Sequence, residues 1–419
     1  MKVLFVVHQF FPEFAGGTES VTLGIAKTLQ KAGHTVRVLS CSIKCDPIGE
    51  DSVTLPDAQD IVFDGVPITL ISRVQAPITA DFSLDVESEL VSNLARWYRT
   101  EKFDVIHCTH AMRMVSALIA ADQLNIPVVL TLTDFFLPCY RINLVNLNHD
   151  VCSGPALGKQ CGSHCKTPPW TEAGLIQRYD VARSLLSIAV ERVVPSNFLA
   201  EKFRTAFPEL SFRVIPHGLD VLSRLTAQCL DYEPAFQSAN AFHLAFVGTI
   251  VPQKGLHVLI QALSKMKSLN LKLSVAGPFG SDSAYENKIR EMVRRDLRIE
   301  LLGPLIERDV SRLFIDTDLL CLPSQVPESF SLTLREAAVF GVPALTSDLG
   351  AQSEFIWSTQ AGETAIASDA NDWARKLDAI IADPDQITKW KSMLPIPIRI
   401  EEETFLYQSL YQYHRSSSI

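Results

Sequence analysis

The stretch VPESFSLTLREAAVFGVP (326–343) sets Glu328 in what reads as a loop and Glu336 inside an apolar helix. Ser331, followed by apolar residues at 332, 334, 337, 338 and 340, predicts a helix that begins near Ser331 and is closed by Gly341 as a C′ glycine. The flanking runs LLCLPS (319–324) and PALTS (343–347) are short and apolar, as buried strands are. The segment therefore reads strand, loop, helix, strand. At about 1.5 Å per residue, the two carboxylates are expected roughly 12 Å apart along the axis. The amides of Ser331 and Leu332 at the helix start, where the dipole favours an anion, suit a diphosphate lying between two hydroxyl-bearing ends. A nucleotide diphosphate sugar is such a molecule. The plainer alternative is a solvated Glu336, with Glu328 as a partner of the helix dipole.

Working outward, short apolar runs alternate with helical patterns along the chain. In the first half they are KVLFVV (2–7), HTVRVLSC (34–41), DVIHC (104–108), PVVLTLT (127–133), RVVPS (192–196) and FRVIPHG (212–218). The polar stretch RLTAQCLDYEPAFQSAN (224–240) breaks the rhythm, which restarts with FHLAFVG (242–248), LKLSVAG (271–277) and IELLG (299–303). Strand–helix alternation means right-handed crossovers and mostly parallel sheets. The expected organisation is two doubly wound α/β domains, residues 1–220 and 241–395. A linker at 221–240 joins them, and a C-terminal helix at 396–419 packs back on the first domain. Ligands of such sheets bind beyond the carboxyl ends of the strands, so a cleft between two facing sheets is the expected site.

The 419 residues exceed what one hydrophobic core supports, in agreement with two domains. A hydrophobic content of 47% and a charged content of 20% exclude a disordered or fibrous chain. A net charge of −9 argues against nucleic-acid binding and weakens adhesion to anionic membranes. No apolar run reaches the length needed to span a bilayer. MKVLFVVHQFFPEF (1–14) lacks the long apolar region and cleavage site of a secretory signal, so it reads as a first buried strand of a cytoplasmic protein.

Four stretches together resemble the retaining glycosyltransferases of family 4, which have the GT-B fold of two Rossmann-like domains facing an interdomain cleft. They are FFPEFAGGTESVTLGIAKTLQKAGHTVRVLS (10–40), IPHGLD (215–220), FVGTIVPQKGLHVLIQAL (246–263) and PESFSLTLREAAVFGVPAL (327–345), in the family's order. The resemblance implies transfer of a sugar from a nucleotide diphosphate sugar, held by the second domain, to a glycan, lipid-linked or small-molecule acceptor hydroxyl, held by the first. It implies that Glu336 binds the donor ribose, that Glu328 faces the donor sugar and that Lys254 neutralises the diphosphate. Gly16 and Gly17 would bring backbone amides to the leaving phosphate. Lys254 and these amides would replace a catalytic divalent cation. The acceptor would attack the face from which the diphosphate leaves, without a fixed protein nucleophile. Peripheral contact with the inner face of the membrane is a further expectation.

Two departures from the family pattern stand out. Thr249 follows the Val-Gly segment where an arginine is usual, and Thr133 stands beside Asp134 where a histidine is usual. Asp134 is then the carboxylate available to take the acceptor proton. His107 and His110, in DVIHCTHAM, end a strand and either serve the acceptor or are satisfied structural histidines. Asp316 and Asp318 mimic a manganese-binding Asp-x-Asp but precede their strand, so they read as helix-end and turn residues. A catalytically silent nucleotide-sugar-binding relative, a partner subunit and a nucleotide-sugar epimerase of the same fold are the rival readings.

Four of the nine cysteines, Cys139, Cys152, Cys161 and Cys165, fall in one loop rich in Gly, Pro and Asn (139–165). Such a loop offers little core, and a reducing compartment disfavours disulfides. A structural zinc held by the four thiols is expected, with an iron–sulfur cluster or unligated thiols as alternatives and His149 or His164 as substitute ligands. Similar loops occur in a subset of the resembled family. Bordering Asp134, the loop is expected to shape acceptor specificity.

Overall fold

The computed structural model describes residues 1–42, 50–52, 55–73, 82–148, 150–220 and 241–416. The linker expected at 221–240 and the candidate ligand His149 lie outside the described residues. The chain divides into two compact units, Met1–Gly218 with Ile398–Ile419, and Leu219–Pro397.

Among the described residues the first unit carries nine strands: β1 (Lys2–Val7), β2 (Thr35–Ser42), β3 (Glu50–Asp51), β4 (Ala58–Phe63), β5 (Val66–Ser72), β6 (Val105–Cys108), β7 (Val128–Thr131), β8 (Glu191–Val194) and β9 (Arg213–Val214). Their order is β3-β4-β5-β2-β1-β6-β7-β8-β9. From β5 to β9 the neighbours run parallel. The central strands are buried on both faces, which is why they read as continuous apolar runs. Leu4, Val6, Ile106 and Leu130 pack in one core with Leu94, Trp97, Leu118 and Phe203 from the covering helices.

The antiparallel edge β3-β4-β5 is absent from the expected strands. Its hairpin turns on Asp64 and Gly65, at φ 47° and 77°, the left-handed pair a two-residue type I′ turn requires. The Asp-Gly dipeptide between two β-branched runs carried that signal.

The C-terminal helix Ile400–Ser416 belongs to the first unit. Its Tyr407 hydroxyl shares a 2.7 Å hydrogen bond with Thr131 Oγ1, and its Tyr411 hydroxyl lies 2.5 Å from His107 Nδ1. The fully buried Glu403 accepts from the Gly218 amide at 2.7 Å and pairs with His217 Nδ1 at 3.0 Å.

The second unit carries six strands, β10 (Phe242–Val247), β11 (Leu271–Ala276), β12 (Ile299–Gly303), β13 (Leu319–Leu322), β14 (Ala344–Ser347) and β15 (Gly362–Ala365). All neighbours are parallel, in the order β12-β11-β10-β13-β14-β15. Leu244, Phe246, Leu273 and Leu319 pack on one face with Leu259, Leu263 and Trp373; Ala245, Leu320 and Leu322 pack on the other with Phe314, Leu334 and Ala337. β15, GETA, was not expected as a strand because it has no apolar run. In each sheet the winding reverses beside the first strand, at β1/β6 and at β10/β13, and a doubly wound sheet binds ligands at that switch point.

Candidate active-site residues in the two units

In the second unit the site residues leave the carboxyl ends of β10 and β13. After β10 the chain makes a short 3-10 turn, Pro252–Lys254, that ends at Gly255 with φ 70°. A Cβ at Gly255 would lie 1.8 Å from the carbonyl oxygen of Pro323, just after β13, so only glycine lets the two loops meet. Gln325 N donates to Gln253 O at 2.7 Å across the same contact. The consequence is an ion pair, Lys254 Nζ to Glu328 Oε1 at 2.7 Å. Ser324 Oγ donates to the same oxygen at 2.8 Å. Glu328 is fixed from the other side by Gly350, whose added Cβ would lie 2.4 Å from the Glu328 amide.

The following helix is Leu332–Val339, capped by Ser331 in a left-handed conformation at φ 66°, uncommon outside glycine. The expected Ser331 and Leu332 amides do stand at a helix start, and Glu336 lies half-buried one turn in. Only half of the interval from Glu328 to Glu336 is helical, so the 12 Å spacing inferred from an unbroken helix does not apply. Thr249 is exposed in the loop after β10. Asp316 caps the helix Glu307–Ile315 and Asp318 accepts from the His243 amide, both structural roles.

Sequence reasoning missed two neighbours here. Gln352 is buried with Nε2 3.5 Å from both Ser324 Oγ and Ser331 Oγ, while its Oε1 has no hydrogen-bond partner. Arg335 does not replace the cation lost at Thr249. Its guanidinium lies between the rings of Phe330 and Phe355, at 4.2 and 4.5 Å, and donates to the Phe330 carbonyl. Burial lowers its pKa to about 10.

In the first unit the corresponding residues leave β1, β6 and β7. Gly16 and Gly17 open the helix Gly17–Lys31, with Gly16 as its N-cap. The side chain of Glu19 folds back so that a Cβ at Gly16 would meet its Oε2 at 2.5 Å. Threonines tie this helix start to the strand ends: Thr18 Oγ1 donates to Thr133 Oγ1 at 3.1 Å, and Thr22 Oγ1 to Thr109 Oγ1 at 2.9 Å. Thr133, at the position of the family histidine, is thus part of a hydroxyl ladder.

Asp134 and His110 form a pair, His110 Nε2 to Asp134 Oδ2 at 2.9 Å. The Met112 amide donates to His110 Nδ1 at 3.2 Å, which assigns the ring proton to Nε2 and makes it the donor to Asp134. Asp134 Oδ1 accepts from the Phe136 amide at 2.8 Å. His8, at the end of β1, packs its ring on His110 with centroids 4.0 Å apart. Burial foremost, then His110 and Arg113, holds His8 far below the usual histidine range. Among the described residues His8 Nδ1, Glu19 Oε1 and Arg113 Nε are buried without hydrogen-bond partners, and none of the three stands out in the sequence. His107 lies apart from this group. It is fully enclosed, with Thr131 at 2.7 Å on Nε2 and Tyr411 on Nδ1, and burial pushes its pKa down to about 3. Both nitrogens are occupied, so it is a structural residue rather than one facing an acceptor.

The cysteine loop differs from the expectation. Inside it Tyr140, Leu144 and Val145 are buried, and Lys159–His164 forms a short helix. The seven described cysteines are unbridged. Burial foremost, then Cys139, Cys152 and Cys165, pushes the Cys161 thiol up to about 12. Among the described residues, however, no three His, Cys, Asp or Glu side chains are grouped as metal ligands.

The chain matches known proteins over most of its length. Residues 15–221 match the model of Glycosyltransferase Family 4, and residues 235–393 that of Glycosyl transferases group 1. The glycogen synthase of Mycobacterium tuberculosis is 24% identical over 399 residues, covering 92% of this chain and 87% of that protein. The lipopolysaccharide 1,2-N-acetylglucosaminetransferase of Salmonella typhimurium is 28% identical over 174 residues, 39% of this chain and 45% of that protein. In fold, the chain is similar to Anabaena HepE in complex with UDP and glucose (TM-score 0.67, 17% identity, 99% of this chain and 100% of that one). It is likewise similar to sucrose-phosphate synthase of Thermosynechococcus elongatus (TM-score 0.69, 17% identity, 100% of both chains). The fold is GT-B. The protein is a glycosyltransferase of this type, with a family 4 first unit and a group 1 second unit. Among the described residues no helix is long and apolar enough to cross a membrane.

Proposed function

We propose that the protein is a cytoplasmic retaining hexosyltransferase that moves a sugar from a nucleotide diphosphate sugar to an acceptor hydroxyl in glycan or glycoconjugate biosynthesis. The observation that carries this reading is the Lys254–Glu328 pair at the switch point of the second sheet, beside the helix start of Ser331 and Leu332. Lys254 and those amides receive the diphosphate. The arriving diphosphate draws the ammonium from Glu328, which is then free to accept from a donor-sugar hydroxyl. Glu336 takes the ribose hydroxyls. Asp134, oriented by His110 and the Phe136 amide, accepts the proton of the attacking hydroxyl. The charge of the leaving group is met by lysine and backbone dipoles, and no step is assigned to a divalent cation.

The likeness to HepE, whose structure holds UDP and glucose, and to glycogen synthase supports a nucleotide-sugar donor and a sugar acceptor. The test is release of nucleoside diphosphate from UDP-, GDP- and ADP-sugars, with and without acceptor extracts, followed by NMR of the product anomer. Acceptor-dependent release with the donor's configuration kept is expected. Binding of nucleotide without turnover would make the chain a silent relative, and an inverted product would remove the retaining assignment.

Four cysteines within one loop, Cys139, Cys152, Cys161 and Cys165, support a separate proposal, that their thiolates hold one zinc or an iron–sulfur cluster. Elemental analysis of aerobic and anaerobic preparations decides it; absence of both metals with four titratable thiols ends it.

A further inference from the structure

A cavity of about 380 Å³ opens in the first unit, beside the cysteine loop and apart from the residues given roles above. Its walls are the stretch 83–85, Trp170 and the exposed side of the helix Glu172–Ile188. Its size falls within the range of sites for small organic ligands.

Three features define what fits. Trp170 packs against Tyr140 with ring centroids 5.4 Å apart and lines the cavity, giving an aromatic wall held from the far side by the cysteine loop. Gly174 stands in the first turn of the helix, where glycine is weaker than alanine. A Cβ there would come 3.8 Å from Trp170 Cε3 and 3.2 Å from Thr171 Oγ1, so glycine keeps the space beside the indole open. The polar groups on the walls are an exposed amide, Gln177, and a carboxylate, Asp85, oriented by Ser83 Oγ at 2.6 Å. The cation on the wall is already occupied: Arg178 donates to the carbonyls of Phe82, Phe136 and Leu137 at 2.9, 2.5 and 3.0 Å. An anion would therefore meet a carboxylate and a guanidinium three of whose five N–H groups already donate to the backbone. A neutral polyol with one apolar C–H face meets a stacking surface and two hydrogen-bond acceptors instead. The same arginine ties the cavity wall to the backbone just after Asp134.

We propose that this cavity is a carbohydrate subsite for a neutral pyranose unit of the acceptor glycan, remote from the hydroxyl that receives the new sugar. The word acceptor rests on the transferase reading; the sugar site does not. The test uses the full chain and saturation-transfer NMR with the methyl pyranosides of glucose, galactose, mannose and N-acetylglucosamine. Transfer to the ring protons of at least one probe is expected. Gly174→Leu, which fills the space beside Trp170, should abolish it, and Gln177→Ala, at an exposed position, should weaken binding about fivefold, the loss of one neutral hydrogen bond. Calorimetry with UDP, GDP and ADP on the same samples separates the two readings, because the nucleotide is assigned to the other unit. No transfer with any probe, or transfer unchanged by both variants, overturns the subsite whatever the nucleotides do. Pyranoside binding without affinity for any of the three nucleotides keeps the subsite and overturns its link to transfer.

Discussion

The two units place their candidate residues at the same point of the same topology and fill it with opposite chemistry. In the second unit the loops after β10 and β13 bring an ammonium and a carboxylate to 2.7 Å, locked by glycines that nothing larger can replace. In the first unit the strand ends carry a neutral imidazole on an aspartate, a second imidazole stacked on it and a ladder of threonine hydroxyls. An ionic site is suited to charge that grows as a leaving group departs, whereas a hydroxyl and imidazole site is suited to orienting another hydroxyl. On the function proposed above, a division of labour between donor and acceptor would have an electrostatic basis within each unit.

The comparison breaks first at Lys254. Lys254→Ala should lower turnover at saturating donor by about 10²–10³-fold, the scale of removing one stabiliser of developing charge. Its side chain is partly exposed and its ion pair is worth little to the fold, so the melting temperature should hardly move. Full turnover in this variant would remove the ionic role from the second unit. Next is Asp134→Asn, which keeps an acceptor for the Phe136 amide but removes the charge. Turnover should fall about 10²-fold, the lower edge for a lost general base, with nucleotide affinity unchanged in calorimetry. An equal loss of nucleotide affinity would mean that the first unit does more than orient the acceptor.

How far the sequence foretold this contrast depends on the signal each region carries. The sheets were legible because parallel strands buried on both faces must be apolar throughout, as KVLFVV and FHLAFV are. β15 was not, since GETA is held by backbone pairing at an edge. Glu328, Lys254 and Glu336 were legible as a spaced motif after a strand. Their glycine locks were not, because Gly255 and Gly350 are needed only through contacts with Pro323 and Glu328, distant in sequence. In the first unit Asp134 and His110 could be named, but not paired, since residues 24 apart meet only once β6 and β7 are neighbours. His8, Glu19 and Arg113 left no pattern at all. The buried anchors of the cysteine loop, at 140, 144 and 145, were not legible, because they lack the period that marks a core.

Glu336→Ala sharpens the comparison from the donor side. Loss of a charged acceptor for two ribose hydroxyls should weaken nucleotide binding by roughly 1.5 to 3 kcal/mol. Calorimetry with the nucleoside diphosphate measures it, and pyranoside binding by the first unit should stay the same. Unchanged nucleotide affinity would place the ribose elsewhere.

The smallest effect concerns stability and separates the units by acid. His107 is held down to about 3, chiefly by burial, and His8 is depressed further still. In the second unit His243 and His257 are also lowered by burial, but the Asp316 carbonyl at 2.7 Å from His243 Nδ1 pulls that group back up. A histidine whose folded pKa is depressed binds its proton only when unfolded as the pH falls below about 6.5. The stability it contributes is therefore complete above that value and drains away as the pH drops toward 3. With two strongly depressed histidines at β1 and β6, the first unit should loosen first. Hydrogen exchange read by mass spectrometry, corrected for intrinsic rates, should show β1 and β6 losing protection at mildly acidic pH while β10 and β13 keep theirs. His107→Gln, which retains groups for Thr131 and Tyr411, should flatten that acid dependence in the first unit alone. Simultaneous loss in both sheets, or earlier loss at β10, would show that burial of these imidazoles does not set the acid limit.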